Sequence, residues 1–393
     1  MDPFKNPFRP GAGTPPPALI GRDELIEKYS VALHRTLSGR PGKSVMPIGL
    51  RGVGKTVLLN RFEQLARESG LQTGFLEAPD TGEFKRLLAT RLRSILVELD
   101  QGSVSQAVKR AMGTLKSFTC TLPDGLSISL SADPVVGSAD SGVLSEDTTD
   151  LLVAVGEAVK DRGTGLLLAI DEVQYLTAEE LAALISAIHR TVQLSLPVIL
   201  VGAGLPQLPG LAGSAKSYAE RLFDFPHIGP LARTDAQAAL RLPAEAQGVA
   251  FSAGTLDELL DRTRGYPYFL QEWGYHVWNV APKSPITVED VRLAAPDVQR
   301  QLDENFFLVR MDRLTPAEKR YLVAMAALGE GPHRSGDVAA RLGVKVESVA
   351  PRRSALIQKG MVFSPAHGDT AFTVPLFDEF LRRTQTVHRE PRP

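Results

Sequence analysis

Apolar residues along this chain keep two rhythms, and their alternation predicts an α/β fold. Short, mainly apolar runs at 45–48, 71–76, 166–170, 197–202 and 222–226 read as strands, and the wholly apolar 166–170 fits a central parallel strand buried on both faces. Pro47 blemishes the first run and is best placed near that strand's start, because it has no N–H for a ladder. Between the runs the spacing turns helical. After Thr56 the apolar positions are 58, 59, 62, 65 and 66, and Gly70 ends the pattern. Helices are also expected within 19–40 and over 82–99, 149–160 and 177–193. Thr177 is placed to cap the last, with Glu179 and Glu180 in its first turn. From 233 to 295 helical segments alternate with Gly and Pro breaks and read as a helical lid. The stretch 296–312 reads as a linker.

Three stretches interrupt this plan. Residues 1–18 are rich in Pro and Gly and are expected to form a flexible leader. Residues 100–146 read as an insertion into the core of 19–232. Within it, 119–122 and 126–130 flank Pro-Asp-Gly as a hairpin, and 131–149 is expected to be mobile for want of large apolar residues. A tolerated surface excursion is favoured there over an element that contacts DNA or a partner. The single cysteine, Cys120, reads as a buried strand residue rather than a nucleophile. Trp273, Tyr275 and Trp278 read as core packing.

The chemistry enters with residues 49–56, Gly-Leu-Arg-Gly-Val-Gly-Lys-Thr, a complete phosphate-binding loop between a strand and a helix. Gly49, Gly52 and Gly54 let successive backbone N–H groups, with those of Val53 and Val57, turn toward phosphate oxygens. Lys55 supplies charge at the β- and γ-phosphates of ATP, and the Thr56 hydroxyl suits Mg²⁺. The run ending at Asp171-Glu172 supplies the second half. Asp171 is placed to hold Mg²⁺ through water, and Glu172 to polarise the attacking water.

The pair of motifs resembles the AAA+ and STAND branch of P-loop ATPases, and in particular archaeal-type relatives of origin-recognition and cell-division-cycle initiators. Leu19-Ile-Gly-Arg-Asp-Glu24 is similar to the box near the adenine, which implicates Arg22. Ser217-Tyr-Ala-Glu-Arg221 is similar to the segment that carries an arginine finger. That implies homo-oligomers in which Arg221 completes a neighbour's site. Gly265-Tyr-Pro267 resembles the turn through which Pro267 touches the base. Two departures stand out. The apolar tip 196–204 has no polar sensor side chain, Gln207 being the nearest candidate, and no lid arginine matches the second sensor. The resemblance therefore implies an ATPase with slow or partner-stimulated turnover. Its implied fold class is α/β, a P-loop NTPase sheet with a helical lid and a C-terminal winged helix-turn-helix.

The last expectation has its own signals over 313–383. Thr315 caps a helix with Pro316 at its first position, a second helix spans 335–342, and a third follows Ser348 as cap. The runs 361–364 and 370–374 flank a wing. Arg352 and Arg353 ride early on the third helix, where base edges are approached, and Lys359 and His367 are placed for phosphates. From Arg313 onward there are 13 Lys/Arg against 8 Asp/Glu, a net +5 against −6 for the rest. That asymmetry favours double-stranded DNA as partner over a protein-adaptor role. Residues 384–393 form a tail. With a net charge of −1 the whole chain is no bulk polyanion binder. One cysteine, no apolar leader and no membrane-length run give a cytoplasmic reading with no membrane contact.

Overall fold

The computed structural model describes residues 1–79, 82–101, 105–120 and 132–387. The chain divides into two compact units. One comprises residues 22–48 and 55–227, the other residues 1–21, 49–54 and 228–393.

The first unit is a parallel sheet between two helical layers. Its elements are α1 (Asp23–Leu37), β1 (Ser44–Val45), α2 (Lys55–Glu68), β2 (Gln72–Glu77), α3 (Phe84–Asp100), α4 (Gln106–Cys120), α5 (Leu144–Asp161), β3 (Leu166–Asp171), α6 (Ala178–Gln193), β4 (Val198–Gly202), α7 (Leu208–Ala215), α8 (Ala219–Leu222) and β5 (Phe223–Asp224). Strand β3 lies between β2 and β4, and β1 pairs with β5, all in parallel. Parallel bridges from Ile48 to Gly204 and to His227 join the two sets. Every residue of β3 is buried. Leu166, Leu168 and Ile170 enter the core on one face, and Leu167 and Ala169 the core on the other. A strand covered on both faces needs no polar alternation, which is why its sequence is a bare apolar run.

Several expectations are corrected in this unit. β1 stops at Val45, and Pro47 lies beyond it rather than near its start. Pro47 lacks an N–H, yet bonds continue on either side of it: Met46 N donates to Asp224 O at 2.8 Å, Ile48 N donates to Pro226 O at 2.9 Å, and Pro47 O accepts from Gly204 N at 3.2 Å. The stretch read as a surface insertion contributes α4, whose Val108, Ala111, Met112, Leu115 and Phe118 are buried in the main core. Thr119 and Cys120 end that helix instead of starting a hairpin, and Cys120 is exposed. The rest of the expected hairpin lies outside the described residues. Nor is 132–149 loose. Asp147 is fully buried and accepts from Ser141 N at 2.9 Å, Ser141 Oγ at 2.8 Å and Gly142 N at 3.2 Å. Polar capping does there what apolar residues do elsewhere.

The second unit is mostly helical. It contains α9 (Arg233–Glu245), α10 (Thr255–Thr263), α11 (Pro267–Val280) and α12 (Val288–Leu302). The expected linker is not one. α12 continues as a π-helix over Asp303–Leu308 and then α13 (Val309–Met311). The leader is not a flexible arm either. Trp278 Nε1 donates to Asp2 O at 2.9 Å, Asn6 Nδ2 donates to Tyr275 O at 2.9 Å, and Phe8 is 2% exposed. A side chain at Gly274 would meet the Phe8 ring at 2.6 Å, so a glycine on α11 admits the leader. Trp273 and Trp278 are buried as expected, whereas Tyr275 is exposed.

The C-terminal module of this unit holds α14 (Pro316–Ala326), β6 (His333–Arg334), α15 (Ser335–Leu342), α16 (Ala350–Gln358), β7 (Val362–Phe363), β8 (Asp369–Phe372) and α17 (Phe377–Val387). The strands form an antiparallel sheet in the order β6-β8-β7. Thr315 and Glu318 form a reciprocal capping box on α14. Ser348 does not cap α16; its hydroxyl donates to Lys345 O at 2.6 Å. No helix among the described residues is long and apolar enough to cross a membrane.

Candidate nucleotide site

In the first unit the two halves of the predicted chemistry meet. α2 begins at Lys55, so Lys55 and Thr56 sit at a helix N-terminus, where the helix dipole favours anions. Lys55 is 6% exposed. β3 carries Asp171 to the same place, and Thr56 Oγ1 donates to Asp171 Oδ2 at 2.5 Å across 115 residues of sequence. Burial pushes the Asp171 carboxyl above its ordinary range. The Thr56 hydroxyl pulls it back, Glu172 pushes it further up, and Lys55 draws it down. Glu172 follows in the left-handed conformation at φ 51°, and its N–H donates to Asp171 Oδ1 at 2.9 Å. A strained turn of this kind at a strand tip is common at functional sites. Val57 is half-buried on α2, and Arg22 is half-buried just ahead of α1. Arg221 is exposed in the last turn of the short α8.

The donor set fits Mg²⁺, a hard cation that takes oxygen ligands and keeps waters. Thr56 and Asp171 present two oxygens already within hydrogen-bond distance. No cluster of three or more His, Cys, Asp or Glu side chains suited to a metal exists among the described residues.

The loop residues before Lys55 belong to the second unit. Gly52 and Gly54 have φ of 79° and 93°, a conformation open to glycine and costly for other residues. A side chain at Gly49 would come 2.2 Å from Ile228 O. Backbone bonds hold the loop. Arg51 N donates to Thr373 O at 2.9 Å, and Gly52 O accepts from Tyr268 N at 3.1 Å. The Tyr268 ring stacks on Phe306 at 4.6 Å and 19°, and its hydroxyl donates to Glu272 at 2.7 Å. Pro267 opens α11 after Gly265, which has φ 72° and whose carbonyl accepts from Leu231 N at 2.9 Å. The Gly-Tyr-Pro sequence is therefore a helix entry.

The four residues selected for DNA divide. Arg353 is committed within the module: Nε donates to Thr370 Oγ1 at 2.8 Å, and one terminal nitrogen to Ser364 Oγ at 2.6 Å and Asp369 O at 2.8 Å. It ties α16 to the β7–β8 hairpin. Lys359 pairs with Glu318 at 2.8 Å and donates to Arg313 O at 3.2 Å. Arg352 is half-exposed, and His367 is exposed on the hairpin turn. Net charge registers cations without distinguishing those held inside from those facing out.

Sequence reasoning missed Gln174. It lies on the turn after Glu172, where Nε2 donates to Glu172 Oε2 and Oε1 accepts from Leu205 N at 2.9 Å. An amide two residues past the acidic pair was the available signal. Gln207, the suggested sensor, heads α7 with its Oε1 buried and unpartnered. The contact of Thr373 with the loop left no trace in sequence, because it runs through backbone.

Residues 18–201 match the model of the AAA ATPase domain, and residues 304–381 match a domain of unknown function (DUF8462). The α/β fold with its parallel sheet and added C-terminal domain is that of P-loop AAA+ ATPases. Among solved structures, a Walker-type ATPase of Pyrococcus abyssi superposes with a TM-score of 0.57 at 15% identity, over 95% of this chain and 98% of that one. The ORC1 protein of Aeropyrum pernix in complex with DNA gives 0.48 at 16%, over 95% of each chain. The RuvB Holliday junction branch migration motor of Thermotoga maritima gives 0.45 at 18%, over 95% and 96%. At 15% identity the first of these speaks to fold alone. No curated protein matches the chain.

Proposed function

We propose that this protein is a Mg²⁺-dependent ATPase whose nucleotide state controls duplex DNA binding through a C-terminal winged helix. The observation that carries the ATPase reading is the 2.5 Å bond between Thr56 and Asp171, with Glu172 next in sequence at the tip of β3. Lys55 neutralises charge on the β- and γ-phosphates, and Thr56 and Asp171 hold the cation. Bound there, Mg²⁺ supplies Lewis-acid stabilisation of the phosphoryl oxygens. Glu172 accepts a proton as water attacks the γ-phosphorus, and the breaking P–O bond leaves its electron pair on ADP. Arg221, exposed on α8, acts on the site of a second copy. Arg22 and Pro267 contribute at the base. For the C-terminal module, the three helices α14, α15 and α16 and the β6-β8-β7 order support a winged helix. Arg352 and His367 are the members of the predicted set that remain suited to DNA.

The test is anisotropy of fluorescent duplex DNA with ATP and with ADP across a salt series. Binding that depends on nucleotide, weakens steeply with salt and falls about tenfold in Arg352→Ala supports the reading. Absence of binding in both states overturns the DNA half.

A second reading is favoured by one feature. The phosphate loop bonds the C-terminal module directly, Arg51 N to Thr373 O, and the lid residue Tyr268 holds the adjoining Gly52. In a STAND-like switch, ATP and ADP select different placements of the module, and the output is a protein contact. That reading predicts nucleotide-dependent self-association without DNA, measurable by light scattering.

A further inference from the structure

We propose that Gln174 is the positioning residue for Glu172, and that it takes over the link between strand β4 and the attacking water that a polar side chain on β4 would otherwise supply. The proposal rests on the ATPase reading above.

The tip of β4 continues as Ala203-Gly204-Leu205, with no polar side chain. What it offers is backbone. Val173 N donates to Ala203 O at 2.9 Å, and Ala203 N donates to Ile170 O at 2.9 Å, which locks this tip to the end of β3. Gly204 N donates to Pro47 O at 3.2 Å, and the N–H after it, that of Leu205, donates to Gln174 Oε1 at 2.9 Å. The other end of the same amide donates from Nε2 to Glu172 Oε2. The chain of contacts therefore runs from β4 backbone, through one planar amide, to the carboxylate.

The chemistry selects the residue type. The bridge needs an acceptor for an N–H at one end and a donor for a carboxylate at the other, held in one plane. An amide side chain provides both; a carboxylate cannot donate, and Lys or Arg cannot accept. Gly204 makes the room, since a side chain there would come 2.8 Å from Gln174 Oε1. Glu172 itself sits on a left-handed residue of a short turn, where the backbone alone leaves its side chain several rotamers. The amide removes that freedom, and a base misplaced by an ångström loses about 100-fold in rate.

The test measures ATP turnover and nucleotide affinity in the full chain for Gln174→Ala, Gln174→Glu, Glu172→Gln and the double variant Glu172→Gln/Gln174→Ala. The expected result is a fall in kcat of about 10- to 100-fold in Gln174→Ala, with ATP affinity within about twofold of wild type. Gln174→Glu keeps the shape, loses the donor and falls at least as far. In the double variant the second change costs nothing further, because the group it positions is gone. Thermal unfolding checks that all four are folded. Wild-type kcat in both Gln174 variants, weakened ATP binding in place of slowed turnover, or full additivity with Glu172→Gln each overturns the proposal while Glu172 keeps its role. If Glu172→Gln turns over like wild type, the base assignment falls and the proposal falls with it.

Discussion

The tip of β3 and the start of α16 both carry adjacent charged residues that the sequence singles out, yet the fold treats them differently. At β3, Asp171 meets Thr56, and Glu172 is gripped by Gln174, so the candidates converge with one another. At α16, Arg353 turns inward to Thr370, Ser364 and Asp369, while Arg352 stays half-exposed. The difference lies in what sets each pattern. A phosphate loop demands particular backbone geometry at fixed positions, so its spacing carries the geometry with it. A pair of arginines demands only charge, and charge serves a hairpin anchor as readily as a phosphate contact.

The largest effect that sharpens this contrast is at Glu172. Glu172→Gln is expected to slow turnover by about 10²–10⁴-fold, the range for loss of a general base, while ATP binding persists. Single-turnover hydrolysis and equilibrium binding of ATP separate the two. Unchanged turnover would remove Glu172 from the chemistry.

Asp171 comes next, and here the sign of its pKa shift makes the prediction. Its folded carboxyl titrates above the usual 3.8, so the folded state holds a proton that the unfolded chain has already lost. Stability without nucleotide therefore falls as pH rises from about 3.8 through the raised value, and the ionised group is a cost at neutral pH. Asp171→Asn removes that cost. It is expected to melt no lower than wild type at pH 7 without nucleotide, and at a similar temperature below pH 3.8. With Mg²⁺ and ATP the order reverses. At a ligand concentration about 100 times Kd, wild type gains about 2.7 kcal/mol, and the variant gains much less. Melting curves at two pH values, with and without Mg-ATP, make the check.

How far the sequence could be read follows from which forces act locally. The strand ending at Asp171, the helix beginning at Lys55 and the helix caps at Thr177 and Thr315 were all legible, because each depends on residues a few positions apart. The helix α4 was not legible as core. Its neighbours at 132–149 are small and polar, and the buried Asp147 caps the turn there through Ser141 and Gly142. The leader was misread because Pro and Gly describe an irregular backbone and say nothing about Phe8 finding a gap at Gly274. In the site, motif residues were legible and Gln174 was not, since its partners are a backbone N–H 31 residues away and a side chain that only the turn at φ 51° presents to it.

The arginine pair supplies the third break point. Arg353→Ala removes three hydrogen bonds from one guanidinium and leaves their acceptors to resatisfy. It is expected to destabilise the C-terminal module by about 2–3 kcal/mol. Arg352→Ala is expected to leave the melting temperature unchanged and to weaken DNA binding by about tenfold, the effect of roughly 1.4 kcal/mol. Should the two variants behave alike in both assays, the division drawn at α16 is wrong.

The smallest effect separates a structural lysine from a phosphate-binding one. Burial pushes the Glu318 carboxyl up, but the Lys359 ammonium and the backbone and hydroxyl of Thr315 outweigh it and hold the group below its usual 4.5. A lowered carboxyl contributes stability above its unfolded value and loses it as pH falls through the folded one. Lys359→Met keeps the packing of the side chain and deletes the ammonium. It is expected to cost about 1 kcal/mol at pH 7, since Lys359 is partly exposed and solvent screens the pair. That cost should shrink as the pH drops below 4.5, because Glu318 then becomes neutral in both proteins. DNA affinity and its salt slope are expected to stay at wild-type values, since the ammonium is held by Glu318 and Arg313 O. A salt slope reduced by about one unit would instead place Lys359 on a phosphate.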